Sequence, residues 1–535
     1  MASPVNGQVS WTADTDWWLD TKCMPVNSTH ADYDAALPGW ERARDLLAGE
    51  DAVKAAGVKY LPRLDAQTDE EYQAYQARAC FFNATRRAAD AFVGLVFRKA
   101  PFVKLPDGQD GIGKAMTRFG NDADMLGTSL FGYAKNVVRE VVSVGRAGTL
   151  VDWEGDFEQR AYASAYRAED IINWRVERVN GRNVPTMIVL REWVSPGVGT
   201  GGPSRTGEDE FSSETVEQHR VLKLEEVRSQ EPGGRSAYQC VVEIWRPKQS
   251  KGADASATAP NQKPEFELVD IRMPLRLGKP LPLIPFVFHG SCHSRPEVGW
   301  MPLADMMVLN LDHYRLDADY KHGLHFTALP TAWVAGFDKT STLTIGSKAA
   351  WVFEHPQATA GFLEFRGDGL GSFERALERD DRVMAVLGSQ ILENQNRVAE
   401  TATAIMLRQA GENSVLANLA TSVSESLTQV LRWVYWWNST ESIPELVTDG
   451  QVLVELNTDF GTSGMQSGEL AALVKAWKDS AISQDTMLEQ FRKREILPEG
   501  RSNRDEVALI AAGKVTADAG AGMGQEGATP PLKIV

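Results

Sequence analysis

Five clusters of side chains in this sequence have types and spacings that chemistry uses. Gly108 to Lys114 carries the spacing of a phosphate-binding loop, with Gly108, Gly113 and Lys114 in the required places. The hydroxyl that should follow to ligate Mg²⁺ is replaced by Ala115, and Val103 to Asp107 makes a poor buried strand ahead of it, so a Gly-rich turn before a helix is expected. His322 and His325 stand three residues apart and would share a helix face, a spacing open to metal ligation. No carboxylate or cysteine stands at a partner spacing, and a helix surface or subunit contact is the plainer reading. Asp317 with Asp319, and Asp380 with Asp381, are carboxylate pairs of the kind two-metal nucleases use. On a helix, however, Asp317 and Asp319 point to different faces. Trp433, Trp436 and Trp437 have only Arg432 beside them. Helix-end packing or a subunit interface therefore suits them better than a stacking platform for single strands. The serines lack a Gly-x-Ser-x-Gly setting. No catalytic constellation is expected: not an enzyme, with no cofactor and no metal.

The elements around these residues change character along the chain. Residues 31 to 145 read as mostly helical, with Tyr72, Tyr75, Ala79, Phe82, Arg86 and Ala89 at helical spacing and a second helix from Ala123 to Val138. From Gly148 the period shortens. Thr149 to Trp153, Met187 to Val194, Arg220 to Leu224, Tyr238 to Trp245, Phe266 to Met273 and Leu283 to His289 read as strands. Ser195 to Gln218 and Pro247 to Pro264, rich in small and polar residues, read as surface loops. Leu303 to Phe326 then reads as a helix about 36 Å long at 1.5 Å per residue. A short excursion follows from Leu329 to Arg366, with strands at Ala332 to Val334 and Ala350 to Phe353, and then a returning helix from Ser372 to Leu392. Glu393 to Ala399 is a polar loop. The longest helix runs from Glu400 to about Trp437, marked by Leu416, Leu419, Val423, Leu427, Val430 and Val434. Val452 to Leu456 is a strand, Glu469 to Lys493 a last pair of helical segments, and Gly513 to Val535 a Gly- and Ala-rich tail expected to be disordered. The fold class expected is α+β.

At 535 residues, with 43% hydrophobic and 24% charged residues, the chain is long enough for more than one globular substructure. Its formal charge of −16 argues against tight whole-surface binding of nucleic acid, but suits a passage through which DNA slides without sticking. Four scattered cysteines make neither a disulfide framework nor a zinc site. No secretory signal and no apolar run long enough to span a bilayer is expected.

The order helix, short excursion, returning helix, polar loop, very long helix resembles the stem, clip, stem, tunnel loop and wing of tailed-bacteriophage portal proteins. Specific segments resemble one portal family first catalogued as a phage domain of unknown function: Tyr60 to Leu64, the helix Tyr72 to Arg98 with Asn83 to Arg86, Gly145 to Asp152, Ala168 to Trp174, Leu309 to Tyr320 and Glu400 to Ala404. The resemblance covers about residues 55 to 500. It implies an N-terminal region and wing at 1–300, stem helices at 301–328 and 369–392 and a clip at 329–368. It further implies a tunnel loop at 393–399, the long helix and the rest of the wing at 400–464, a crown at 465–512 and a flexible tail at 513–535.

As a portal, the chain would form a dodecameric ring at one capsid vertex, assembled in the host cytoplasm and present in the virion. It would pass double-stranded DNA without sequence preference during packaging and ejection. Its other partners would be the major capsid protein, the terminase large subunit and then head-tail adaptor or neck proteins. Glu393, Asn394, Gln395, Asn396 and Arg397 would face DNA. Asp312, Arg315, Asp319, Lys321 and His322 would line the channel. The alternatives are a terminase-like packaging ATPase or nuclease, and another ring-forming neck adaptor.

Overall fold

The computed structural model describes residues 24–106, 111–155, 157–195, 213, 215–227, 237–248, 265–328, 331–335, 357, 359–363, 369–389, 402–440, 451–458, 460, 467–493, 496–497 and 503–510. The chain divides into two units, Met1–Asp459 and Phe460–Val535. In the second, α10 (Ser467–Lys478) and α11 (Gln484–Lys493) form an amphipathic pair, as the sequence leads one to expect. The tail, from 511 on, lies outside the described residues.

The first unit begins with four helices: α1 (Ala31–Ala48), α2 (Glu50–Ala55), α3 (Asp69–Arg78) and α4 (Ala84–Val96). Strand β1 (Phe102–Lys104) and helices α5 (Gly111–Asn121) and α6 (Leu130–Val144) follow. The single helix expected from Tyr72 to Arg98 is in fact broken at 79–83. The Asn83 side chain supplies the reason: its Oδ1 accepts the Arg86 N–H at 2.9 Å to cap α4, while its Nδ2 donates to the Leu46 carbonyl. Helix α6 also starts later than the expected Ala123. Asp124 first ties a loop by accepting the Leu126 and Thr128 N–H groups, and Ser129 then caps the helix.

β2 (Arg146–Glu154), β3 (Arg160–Arg167) and β11 (Phe286–Gly290) make a three-stranded sheet with β2 in the centre. β4 (Ile171–Val179), β5 (Arg182–Val194), β6 (Val216–Val227), β7 (Ala237–Pro247) and β8 (Phe266–Arg272) make a five-stranded meander. β6 thus begins inside the stretch expected to be a surface loop. Short β9 (Leu275–Arg276) and β10 (Lys279–Pro280) pair with each other. Helix α7 (Ala304–Ala328), hairpin strands β12 (Thr331–Ala335) and β13 (Thr359–Leu363), helix α8 (Leu370–Ser389), the 37-residue α9 (Ala402–Asn438) and β14 (Leu453–Glu455) complete the unit. Every strand pairing among the described residues is antiparallel, so the fold is α+β.

The core lies where α9 packs on the three-stranded sheet and α6. Leu419, Val423, Leu427, Val430 and Val434 are buried along α9, and Ala147, Val151, Ala163 and Phe288 come from the sheet. At the end of α9, Trp433, Trp436 and Trp437 are all buried. Trp437 stacks near Trp153, and the Arg276 guanidinium lies 4.1 Å from the Trp436 ring. These tryptophans pack a helix end within the chain.

One buried polar chain crosses this core. The Tyr133 hydroxyl meets Thr149 Oγ1 at 2.8 Å, Thr149 Oγ1 meets His289 Nε2 at 2.6 Å, and His289 Nδ1 meets Ser426 Oγ at 2.7 Å. Ser426 Oγ donates to the Val423 carbonyl at 2.9 Å. Because that last hydroxyl proton is committed, Ser426 accepts from Nδ1–H and the imidazole is neutral, accepting from Thr149 at Nε2. Burial pushes the His289 imidazole down to about 3. Gly145 sits at the joint between α6 and β2 with φ of 78°. A side chain there would also run into the Trp300 carbonyl, so both the backbone and the space demand glycine.

Candidate functional site, the helical hairpin

Helices α7 and α8 run antiparallel against each other. The His313 imidazole lies 3.3 Å from Asp381, Tyr320 donates to Glu374 at 2.7 Å, and Gly323 sits against Leu370. As α7 advances, its partner on α8 retreats. The same order carries into the strands, where Thr331 pairs with Leu363 and Ala335 with Thr359. The element is therefore one continuous hairpin: two rods, with a strand pair at the far end. At 1.5 Å per residue, the 25 residues of α7 span about 37 Å and the 20 of α8 about 30 Å. The strand expected at Ala350 to Phe353 lies outside the described residues; the partner found for β12 is β13.

One side of α7 is clamped to the N-terminal helices. Asn310, fully buried, accepts the Thr85 N–H at 3.1 Å and the Thr85 hydroxyl at 2.9 Å, and donates to the Phe82 carbonyl at 2.7 Å. Arg315 Nε donates to the Tyr60 carbonyl at 2.8 Å. Asp317 accepts the Cys80 N–H at 2.7 Å and pairs with Lys321 at 3.1 Å. Asp319 accepts the Tyr75 hydroxyl at 2.5 Å. Burial first, and then this bond, raises the Tyr75 phenol well above its usual range. His322 lies 3.3 Å from an Arg78 nitrogen and edge-on to Tyr75; burial first, and then the Arg78 charge, lowers its pKa.

Of the five side chains expected along a channel, Arg315, Asp319 and His322 are thus engaged with α3 and the segment before it. Lys321 is paired within α7, and Asp312 is exposed. They do not form one free face. The spacing of α7 alone hid this, because each partner comes from far away in sequence. Glu393, Asn394, Gln395, Asn396 and Arg397 lie outside the described residues.

Three of the four carboxylates weighed for nuclease chemistry are also spoken for. Asp317 and Asp319 serve different partners, and Asp381 pairs with His313. Asp380 is 2% exposed, with no hydrogen-bond partner for Oδ2 among the described residues. Burial, and next the nearby Asp312, raise the Asp380 pKa. Among the described residues, no group of three or more His, Cys, Asp or Glu is placed to hold a metal ion. Of the Gly-rich stretch, residues 107–110 lie outside the described residues. Lys114 lines an open cavity of about 520 Å³ beside Thr117, Arg118, Asp122, Glu158 and Arg160. The two arginines there are neutralised locally, Arg118 by Glu158 at 2.9 Å and Arg160 by Asp122 at 2.6 Å.

The outward surface of the hairpin is apolar in places. Val383, Val386 and Leu387 are 39%, 44% and 40% exposed on α8, and Val308 is 57% exposed on α7. No described helix is long and apolar enough to cross a membrane.

A domain of unknown function, DUF4055, matches residues 302–438, the stretch from the start of α7 to the end of α9. No curated protein matches the chain. Among solved structures, a chain of the virion of a native gene transfer agent particle is 11% identical, with a TM-score of 0.35, covering 83% of this chain and 99% of that one. A chain from the neck of the native particle, computed with C12 symmetry, is 11% identical with a TM-score of 0.34, covering 81% and 96%. One from the neck of the empty particle, computed with C6 symmetry, is 12% identical with a TM-score of 0.34, covering 79% and 90%.

Proposed function

We propose that this chain is a portal protein: a closed ring of identical subunits at one capsid vertex, through which double-stranded DNA enters and leaves. The observation that carries the reading is the hairpin of α7, β12, β13 and α8 followed by the 37-residue α9. Paired rods tipped by a small strand pair are the parts from which a channel wall is made when copies close side by side around an axis. Such head-to-tail contacts form a ring when the rotation closes. The hairpin has the surface that copies need: Val383, Val386 and Leu387 on α8 and Val308 on α7 lie open to solvent.

In this reading the 393–399 loop, with Arg397, faces the DNA, and the hairpin tip receives first the packaging motor and then the neck proteins. The formal charge of −16 keeps phosphates from arresting on the wall. The subunit performs no catalysis; the packaging motor supplies the energy.

The test is the assembly state of the purified full-length protein by mass photometry and cryo-EM. A ring with a central hole, in class averages viewed down the axis, is expected. Val383→Asp with Val386→Asp is expected to shift the population to free subunits while leaving the circular dichroism spectrum unchanged. A wild-type protein that stays monomeric at micromolar concentrations in both low and moderate salt would overturn the proposal.

A further inference from the structure

Of the contacts that clamp α7 to α3 and the segment after it, one can exist in a single charge state only. Arg78 Nη2 lies 3.3 Å from His322 Nδ1. A guanidinium donates at every nitrogen and accepts at none, so Nδ1 is the acceptor and the imidazole keeps its one proton on Nε2. A second proton, on Nδ1, would remove that acceptor and set two N–H groups and two positive charges against each other. The neighbouring contacts, Asp317 with the Cys80 N–H and Asp319 with the Tyr75 hydroxyl, are made by carboxylates and need no particular state of the imidazole. Arg78 Nε has no hydrogen-bond partner among the described residues, which leaves the His322 contact as the guanidinium's hold on α7.

The surroundings of His322 decide how readily that second proton arrives. The side chain is half-buried, so water reaches it. From α3, the Arg78 charge opposes a positive imidazole and Glu71 favours one; from α7 itself, His325 opposes it and Asp319 favours it. Both acids are already engaged. Glu71 accepts the Thr68 N–H at 2.9 Å in the capping box of α3, and Asp319 accepts from Tyr75. The α7 side chains that meet α8, His313 and Tyr320, point to the opposite face of the helix. Helix α4 meets α7 through Asn310, about three turns earlier. Burial and then Arg78 prevail, and His322 titrates below its ordinary 6.5. The folded imidazole thus takes a proton less readily than that of the unfolded chain. The clasp adds its full share of stability above 6.5 and loses it as pH falls below that value.

We infer that the Arg78–His322 contact is an acid-released clasp: protonation of His322 frees the C-terminal end of α3 from α7, while Cys80 beside it stays held by Asp317. Once charged, the imidazole turns from Arg78 toward Asp319, three residues before it on the same face of α7. Arg78 is left to solvent, and α3 moves about the break at 79–83. This concerns how the hairpin is held to the N-terminal helices, and it stands whether or not copies of the chain close into a ring.

The test is amide hydrogen exchange of the full-length protein, read by mass spectrometry at about pH 7.5 and about pH 5 and divided by the intrinsic rate at each pH. Amides of α3 are expected to exchange about tenfold faster at the lower pH, the effect of losing one hydrogen bond to a charged group. Those of α6, in the core of the same unit, are expected to keep their rates. His322→Asn leaves an acceptor near the place of Nδ1 and cannot titrate; its α3 is expected to exchange alike at both pH values. Arg78→Met removes the donor, and its α3 is expected to exchange at both as fast as wild type does in acid. Thermal melting checks that the variants fold. Wild-type α3 that keeps its rate in acid would overturn the inference without recourse to any variant. An equal rise in α6 would also overturn it, by reducing the effect to a loss of stability in the whole unit. An acid response that persists in His322→Asn would assign the release to another group.

Discussion

Replacing His289 by glutamine removes the one imidazole that is wholly enclosed between β11, β2 and α9. In the unfolded chain this group titrates near 6.5; in the fold, burial holds it near 3. The folded form therefore binds fewer protons than the unfolded form between these values. The contribution is fully present above 6.5 and is lost as pH falls through the window toward 3. Between about pH 7 and about pH 5, the cost to the native state is about 2 kcal/mol, from roughly one and a half pH units below 6.5 at 1.36 kcal/mol per unit. His289→Gln keeps part of the hydrogen bonding to Thr149 or Ser426 but cannot titrate. It should lower stability by about 1–3 kcal/mol at about pH 7 and flatten the decline toward about pH 5 by about 2 kcal/mol relative to wild type. Urea titrations of both proteins at three pH values measure this directly. If the two curves fall in parallel from neutral pH to pH 5, the imidazole is not held neutral and the assigned direction of the Tyr133–Thr149–His289–Ser426 chain is wrong.

Asn310→Ala takes the acceptor away from the buried Thr85 N–H and hydroxyl, while the Phe82 carbonyl keeps the Ala84 N–H, and should cost about 2–4 kcal/mol in urea unfolding. Asp380→Asn should have the opposite sign. The folded carboxyl has a raised pKa, so its native form holds the proton longer than the unfolded chain does. Stability is greatest below the unfolded value and falls as pH rises through the folded one. The amide should therefore raise the urea midpoint at about pH 8 and leave it nearly unchanged at low pH. Gly145→Ala should lower the melting temperature, since its left-handed backbone and the contact with the Trp300 carbonyl together cost about 1–3 kcal/mol.

The long helices were legible because their apolar spacing is regular. α7, α8 and α9 begin and end within three residues of where periodicity puts them, and β2, β5, β7 and β8 announce themselves through valine, isoleucine and aromatic residues. β3 was not legible: Arg160–Arg167 is built of alanine, arginine, tyrosine and one serine, and its small side chains become informative only once α9 lies against them. Nor was the break at 79–83, which depends on Asn83 turning to cap α4 and on Asp317 taking the Cys80 N–H. The clamp on α7 was hidden for the same reason. Tyr75 meets Asp319 across 244 positions, and a local pattern carries no record of such a partner.

The pairing of β1 with β14, which sets Phe102 against Glu455, has a consequence for how the chain is made. β14 is held on its other side by side chains of α9: Thr428 Oγ1 accepts the Val454 N–H at 3.0 Å, and Ser424 Oγ accepts the Leu456 N–H at 3.0 Å. A helix thus does the work of a neighbouring strand. During synthesis, β1 leaves the ribosome long before either its mate or that helix exists, and its exposed backbone must wait for most of the unit to be translated. A nascent chain stopped short of residue 451 should therefore stay protease-sensitive around Phe102, while one extended past residue 458 closes.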